Sequence, residues 1–376
     1  MSFLDTLRRV TVPYTAMAFP RARRLPLLLC AVGVAALAGE GRARAGKNDL
    51  RLLNHCPPQY NASAQMDECS WIMRDPANGQ VVNTVPDAAG QTRFRSQMSE
   101  LGVVIAPRLM TPADTLGFAG FQFSAELGVT KINPDRQVDG RAYWDGIEGV
   151  DPGNPAARRP DSYLTTVGGY VRKGLWLPLP AFEFGAGALS ILNSHMYALQ
   201  GYAKLALQEG FHGWWLPSLA VRGGVSQLLG TSEVDLTVYS LDVMASKAFD
   251  VGGTARLEPF AGWSMLFISA HSGVIDATPA CDAYMDPGGQ PPNAPCAASQ
   301  AGAGDDLNAN FTFPSQDIIT RQRFFAGFKL KLYVLFVAAQ AEVVLAGTST
   351  DNSQPNGARD HSGVQQTYSL SAGFDF

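Results

Sequence analysis

The sequence predicts an all-β protein, an antiparallel transmembrane β-barrel, and three observations support this fold class. Residues 365–376 alternate apolar and polar side chains, the pattern of a strand whose two faces meet different surroundings. Similar segments recur along the chain between turn residues. Beyond the amino-terminal region, no apolar run approaches the ~20 residues that a membrane helix needs, so membrane insertion must use strands. The 38 glycines, 20 phenylalanines and 11 tyrosines, with only 16% charged residues, suit tight turns and aromatic girdles.

Residues 1–45 have the parts of a Sec signal peptide. Three arginines at positions 21, 23 and 24 precede an apolar run over residues 25–37. Residues 43–45 read Ala-Arg-Ala, the A-x-A form of a signal-peptidase site. We predict export across the inner membrane and cleavage after Ala45, so that the mature chain begins at Gly46.

Two internal segments, 196–209 and 256–269, show the strand pattern most strictly. In the first, Leu199 and Leu205 lie on one face and Lys204 on the other. The pattern predicts further strands, some less regular, at 101–109, 118–130, 163–173, 182–192, 216–229, 235–247 and 365–376. Residues 323–345 read as two strands joined near 333–335.

These segments make eleven strands, whereas bacterial single-chain barrels have an even number. We therefore predict about twelve strands, with ten to fourteen as the plausible range, and place the missing strand near residues 80–85. The alternative is that residues 46–99 enter the barrel as a plug or helix, with 94–100 helical. Residues 46–99 are thus a periplasmic or plug segment with a possible first strand, and residues 100–376 form the barrel.

Because both ends of a barrel with an even number of strands lie on the periplasmic side, the strand count also assigns the connections to the two sides of a membrane. Residues 250–254 and 333–335 become short periplasmic turns, whereas 132–161, 271–316 and 348–364 become long extracellular loops. The loop at 271–316 is rich in proline and glycine. Its composition fits a disordered insertion and a structured lid or gate equally well.

The last strand ends on Phe376, and this ending resembles the closing strand of Gram-negative outer-membrane β-barrels. Residues 99–120 and 202–230 are also similar to uncharacterised outer-membrane barrel proteins. The resemblance implies a location in the bacterial outer membrane, with outer-membrane lipid and the barrel assembly machinery as partners. It implies no activity.

Four cysteines remain after removal of the signal peptide, and four cysteines allow three disulfide pairings. We favour Cys56 with Cys69 and Cys281 with Cys296, because each pair brackets a turn-rich stretch that a local disulfide could close. A zinc site needs clustered Cys and His residues, and His55 beside Cys56 is the only adjacency. We therefore predict no metal and no cofactor.

Charged side chains of both signs fall on the predicted inner faces. These lumen-facing candidates are Glu183, Lys204, Arg222, Asp242, Arg256, Glu258, Lys329, Lys331 and Glu342. In a hydrated lumen they would line a weakly selective path. In a narrow barrel they would pair with one another and fill the interior. Unpaired charges in a dry interior cost too much, so either water or pairing is required.

No motif indicates an enzyme. The triplet His-Ser-Gly occurs at 271–273 and 361–363, but adjacency in sequence does not make a nucleophile and base. The His-x-Ser-Asn-Gly type of signature of outer-membrane lipid hydrolases is absent. A net charge of −4 argues against a nucleic-acid partner.

Three functions remain after these exclusions. We expect a non-enzymatic, porin-like barrel that transports small solutes. The alternative is a plugged structural or surface-interaction barrel, and an outer-membrane lipid hydrolase comes third.

Overall fold

Ten strands form one closed, antiparallel, up-and-down barrel in the computed structural model. The structure describes residues 46–61, 66–108, 110–150, 160–175, 181–209, 215–279, 308–353 and 357–376. The barrel strands are β1 Phe121–Lys131, β2 Tyr163–Leu175, β3 Phe182–Ile191, β4 Tyr197–Gln208, β5 Ser218–Leu229, β6 Val234–Ser246, β7 Ala255–Ser272, β8 Ile319–Leu332, β9 Leu335–Val344 and β10 Gln365–Asp375. Each strand pairs with the next along the chain, and β1 pairs with β10 to close the sheet.

The remaining elements are one long helix and several short pieces. Helix α1 spans Ala88–Ile105, and 3₁₀ helices span Leu52–His55 and Tyr143–Asp145. Short hairpins pair Pro58–Asn61 with Met66–Cys69, Ile72–Arg74 with Val81–Thr84, Gln137–Val138 with Arg141–Ala142, and Ile275–Asp276 with Asn310–Phe311. Phe249–Val251 pairs with β7 outside the barrel ring. In the described part of the chain no helix is long and apolar enough to cross a membrane.

The two ends of the barrel differ. At one end, here the lower end, the backbones of Phe121 and Phe376 exchange hydrogen bonds of 3.0 and 2.8 Å. The turn between β8 and β9 lies at this end and has only two residues, 333 and 334. The opposite, upper end carries the connections 132–162, 273–318 and 345–364. The long connections therefore gather at one end, close to the ranges read from the sequence.

The barrel has two strands fewer than the preferred twelve, because two predicted strands lie outside it. Residues 101–109 are not a strand, since α1 continues to Ile105. Four buried apolar residues recur at helical spacing, namely Phe94, Met98, Leu101 and Ile105. The predicted strand began at residue 101, so it left out the first two of them and hid the helical period. Residues 81–84 do form a strand, but it pairs with Ile72–Arg74 rather than with the barrel.

Local sequence explains both ends of α1. Asp87 precedes the helix, and its side chain accepts a hydrogen bond from the backbone N–H of Gly90 at 2.5 Å. Pro107 follows Ala106 at the other end, and a residue before proline disfavours the helical conformation. The helix therefore ends where the chain becomes extended.

Buried polar and exposed apolar side chains alternate along the strands of the wall, as the sequence pattern predicts. On β4, Gln200 and Lys204 are buried, whereas Leu199 and Leu207 are exposed on the outside. On β10, Ser369 and Ser371 are likewise buried, whereas Tyr368 and Leu370 beside them are exposed. The outer surface is thus an apolar band of the kind that transmembrane barrels present to lipid.

Aromatic rings cover glycines on the inside of this wall. At four places a ring lies against the glycine directly opposite it on the neighbouring strand, where any Cβ would collide with the ring. The pairs are Tyr170 with Gly187, Tyr202 with Gly185, Phe325 with Gly262 and Phe260 with Gly327. Such pairs bury ring surface and fix strand register at the same time.

Candidate functional site: the filled lumen

Helix α1 occupies the upper half of the lumen. Leu101 and Val104 have no exposed surface, and Gly102 approaches Ile268 of β7 so closely that a Cβ would collide with it. The inner face of the wall here is apolar, with Leu236, Val238, Leu266 and Ile268 buried in the same cluster. The helix and the wall therefore share one hydrophobic core in this layer.

Glu100 anchors α1 to the upper connections. Its carboxylate accepts hydrogen bonds from the backbone and side-chain nitrogens of Asn133 (3.0 and 2.7 Å), the hydroxyl of Tyr143 (2.5 Å), the indole of Trp144 (2.7 Å) and the backbone of Gly363 (3.0 Å). Hydrogen bonds to a carboxylate are stronger than those between neutral groups. It ties the helix to residues 132–144 and to the connection before β10.

A second polar network surrounds Ser99. The Ser99 hydroxyl donates to Asp360 at 2.7 Å, and Arg321 of β8 donates to both Ser99 (2.9 Å) and Ser362 (2.7 Å). All four side chains are buried. This network joins the helix, the wall and the last upper connection.

The His-Ser-Gly triplets have structural roles in these networks and turns. Ser362 contacts Arg321 rather than an imidazole. The Ser272 hydroxyl accepts from the backbone of Phe313 at 2.8 Å, while the His271 ring lies 3.3 Å from Ser269. In neither triplet does the histidine ring contact the adjacent serine, so neither forms the hydroxyl–imidazole pair that nucleophilic catalysis requires.

A segment without regular secondary structure lies in the lower half of the lumen. We call residues 112–116 the strap. Lys204 of β4 donates to the carbonyl oxygens of Pro112 (3.1 Å) and Asp114 (2.9 Å), and Ser246 of β6 accepts from the backbone N–H of Ala113 at 2.9 Å. The strap is therefore held by wall side chains through its own backbone.

The lower end of the strap is held in the same way. The backbone N–H of Thr115 donates to Glu209 at 3.1 Å, and that of Leu116 donates to Glu183 at 3.1 Å. Buried backbone groups need such partners. After Gly120 the chain enters β1 at the lower end. Helix α1 thus lies in the upper part of the lumen and the strap in the lower part.

The nine charged residues selected from the sequence all lie on inward positions of the wall, and each has an ion-pair partner. Glu183 pairs with Arg172 (3.1 Å) and Lys204 (3.3 Å), and Asp242 pairs with Arg222 (2.6 Å) and Arg323 (3.4 Å). The other pairs are Glu342 with Arg323 (3.6 Å), Arg256 with Glu258 (2.5 Å) and Asp114 (3.4 Å), and Lys329 and Lys331 with Asp375 (2.6 and 3.0 Å).

The wall partners Arg172, Arg323 and Asp375 were not among the nine candidates. They lie at inward-facing positions of their strands, as the nine candidates do. The alternation of inward and outward residues in the sequence could therefore have identified them. Their pairing depends on which strands face each other across the lumen. The charges thus pair with one another. A cavity of about 10 Å³ lies beside Arg108, Glu126 and Tyr170, with room for about one water molecule.

A folded cap covers the upper end of α1. Phe94 of the helix stacks on Phe313 at 4.5 Å, and Trp71 meets Phe311 and Phe313 edge to face. Cys56 and Cys69 form the expected disulfide beside this cluster. Cys281 and Cys296 lie outside the described residues.

His55 is buried in this cap, where its Nε2 lies 2.7 Å from Gln97 Oε1 of α1. Burial, reinforced by the nearby positive charge of Arg93, lowers the pKa of His55 to about 3. The imidazole is therefore neutral at physiological pH. Across the described residues, no three His, Cys, Asp or Glu side chains are grouped as metal ligands.

No protein family matches this chain, and no curated protein matches it. Among solved structures it is similar to the attachment invasion locus protein Ail of Yersinia pestis, with 10% identity over 69% of this chain and 99% of that one and a TM-score of 0.23. Neisserial surface protein A follows at 9% identity over 68% and 95%, TM-score 0.25. The amino-terminal β-barrel domain of Pseudomonas aeruginosa OprF has 10% identity over 69% and 99%, TM-score 0.21. With TM-scores this low, the barrel assignment rests on the strand pairing of this chain itself.

Proposed function

We propose that this chain is an outer-membrane β-barrel closed by its own amino-terminal segment, and that it acts as a structural or surface-interaction protein rather than as an open pore. The apolar outer band supports the membrane location. The long connections at the upper end support an orientation in which that end faces the outside and the lower end faces the periplasm.

One observation supports the proposal: the strap and α1 lie inside the lumen and bind polar and apolar groups of the wall. Lys204 has no exposed surface and binds the strap, while Glu183 joins Lys204, Arg172 and the strap in one network. A hydrogen bond to a charged group contributes about 1.5–3 kcal/mol. Displacement of the strap would break several such hydrogen bonds at once, those of Lys204, Glu183 and Glu209, so the closed state is favoured.

Single-channel current tests this proposal directly. The mature chain, residues 46–376, is refolded, its folding is verified by a heat-dependent gel shift, and current is recorded in a planar bilayer. We expect folded protein without conductance steps. Sustained steps of uniform size would overturn the proposal and favour the solute pore.

A cross-linked variant makes this experiment sharper. Ala113→Cys combined with Ser246→Cys should allow a disulfide between the strap and the wall, since the Ala113 nitrogen lies 2.9 Å from the Ser246 hydroxyl. If the wild type conducts only because the strap moves, the oxidised double variant will be silent and the reduced one will conduct. Each single cysteine variant serves as the control.

A hydrolytic function has no support in the described serine and histidine contacts. We expect the refolded protein to release no fatty acid from phospholipid or lipid A. Turnover that disappears in Ser272→Ala or Ser362→Ala would reverse this conclusion.

A further inference from the structure

A pocket opens at the upper rim of the barrel, between the end of β1 and the start of β2. We call it the rim pocket; it is lined by residues 131–136 and Ser162 and has a volume of about 510 Å³. Lys131 is the last residue of β1, and Ser162 immediately precedes β2. The pocket therefore lies where the apolar wall ends and the polar connections begin.

Hydrogen bonds hold the walls of the rim pocket in place. The backbone N–H of Ile132 donates to Ser162 at 3.0 Å, and that of Arg136 donates to Asn133 at 3.2 Å. Asn133 is itself held by the buried carboxylate of Glu100. The turn is thus anchored to α1 and needs little ordering to receive a ligand, which reduces the entropic cost of binding.

The pocket carries an excess of positive charge. Lys131 and Arg136 are both exposed and make no ion pair with any described residue. Asp135 also lines the pocket, so the two cations exceed the carboxylate by one. The side chains of Lys131 and Arg136 thus present two positive charges to an anion that approaches from outside.

The surface directly below the pocket is apolar. Leu127 and Val167 face outward with 43% and 45% of their surface exposed, and Tyr163 stands opposite Lys131 with 52% exposed. An aromatic side chain at this level suits the boundary between hydrocarbon and headgroups. A ligand that fits both regions has an anionic head and long apolar chains.

We propose that the rim pocket binds the phosphate group of a membrane lipid whose acyl chains lie along the outer face of β1 and β2. This inference rests on the membrane placement proposed above. Lys131 and Arg136 would contact the phosphate oxygens, and the tyrosine and aliphatic wall below them would contact the chains. Each cation near a membrane surface contributes roughly fivefold in affinity, the equivalent of about 1 kcal/mol.

Native mass spectrometry of the folded protein in detergent tests this inference. The probes are bis-phosphorylated lipid A, the same lipid after enzymatic removal of its phosphates, and inorganic phosphate as competitor. We expect the phosphorylated lipid to bind at least fivefold more tightly than the dephosphorylated one. Lys131→Gln combined with Arg136→Gln should abolish that preference.

The matched control is Lys173→Gln combined with Arg359→Gln, which removes the same charge from a lysine at the lower end and an exposed arginine outside the pocket. This control should keep the preference. The lipid site would be overturned if both double variants lost the preference for phosphorylated lipid equally, or if the wild type showed no such preference. It would also be overturned if inorganic phosphate competed as strongly as the lipid does. Gel shift and current recorded on the same sample report separately on the closed barrel.

Discussion

The ammonium group of Lys204 lies 3.1 Å from the carbonyl oxygen of Pro112, a residue 92 positions earlier in the chain. The contact joins an inner-wall position of β4 to the strap. It shows how the barrel recognises the strap, through backbone groups rather than through strand pairing. Lys204 also lies 3.3 Å from Glu183, so one buried cation links the strap to the wall network.

Replacing this cation should destabilise the protein strongly. Lys204→Met leaves two strap carbonyls without a donor and removes one of the two cations that pair with the buried Glu183. We therefore expect a loss of about 3–5 kcal/mol in the free energy of unfolding. Denaturant titration in lipid vesicles measures it. The matched control is Lys331→Met, because Lys331 is partly exposed and shares Asp375 with Lys329; we expect under about 1 kcal/mol there. Similar losses in both variants would contradict the role given to Lys204.

Glu100 should determine whether α1 stays in place. In Glu100→Gln the amide NH₂ faces donors that the carboxylate accepted, and we expect a loss of about 2–4 kcal/mol because hydrogen bonds to charged groups are strong. Faster hydrogen exchange across α1 would report the loosening. Glu148→Gln is the control, since Glu148 forms a partly exposed pair with Arg51 at 3.1 Å. Unchanged exchange in α1 of the first variant would show that the helix is held by its apolar contacts alone.

Acid should weaken the cap through His55. The folded-state pKa of His55 is about 3, lowered mainly by burial from an ordinary value of 6.5. The unfolded chain therefore binds a proton that the folded chain excludes. The stabilising effect of the neutral ring is complete above pH 6.5 and declines as the pH falls toward 3, by up to about 1.4 kcal/mol per pH unit.

The measurement for His55 is the pH dependence of unfolding between pH 7 and 4 for the wild type and His55→Gln. Because carboxylates also contribute, the difference between the two profiles isolates the histidine. We expect the variant to lose less stability on acidification. His271→Gln, at an exposed position on β7, is the control and should follow the wild type.

The aromatic–glycine pairs predict a sharp difference between neighbouring glycines. In Gly187→Ala the new methyl group would collide with the Tyr170 ring, whose hydroxyl donates to Gln200 at 2.7 Å. We expect a loss of about 1–3 kcal/mol from the forced shift of the ring. Gly169→Ala is the control, because a Cβ there meets nothing nearer than 3.9 Å. Equal stability of the two variants, measured by the temperature of the gel shift, would contradict this packing.

Much of the wall could be predicted because alternation is a local property of extended backbone. Lys204 and Leu199 were placed on opposite faces from spacing alone, and the β8–β9 turn was located near residues 333–335. The disulfide between Cys56 and Cys69 followed from short separation in a turn-rich stretch. These inferences needed no knowledge of what each segment touches.

The helix was harder to recognise because its apolar residues also fit a strand over a short window. Leu101, Val103 and Ile105 recur every second residue, and only the longer series from Phe94 shows helical spacing. Burial on nearly all sides of α1 further weakens the amphipathic signal, since polar Ser99 and Glu100 face partners inside the protein. The strap has no pattern of its own, because the wall binds its backbone.

The sequence by itself determined the fold class and which side chains of each strand face inward. Both follow from the two-residue alternation of an extended backbone, which depends only on residues close together in the chain. Only the tertiary structure decided what fills the barrel. Ser99 meets Asp360, and Lys204 meets Pro112, because closure of the sheet brings distant segments to the same layer of the lumen. Buried charges and backbone groups need partners, and their choice depends on that three-dimensional arrangement rather than on spacing along the chain.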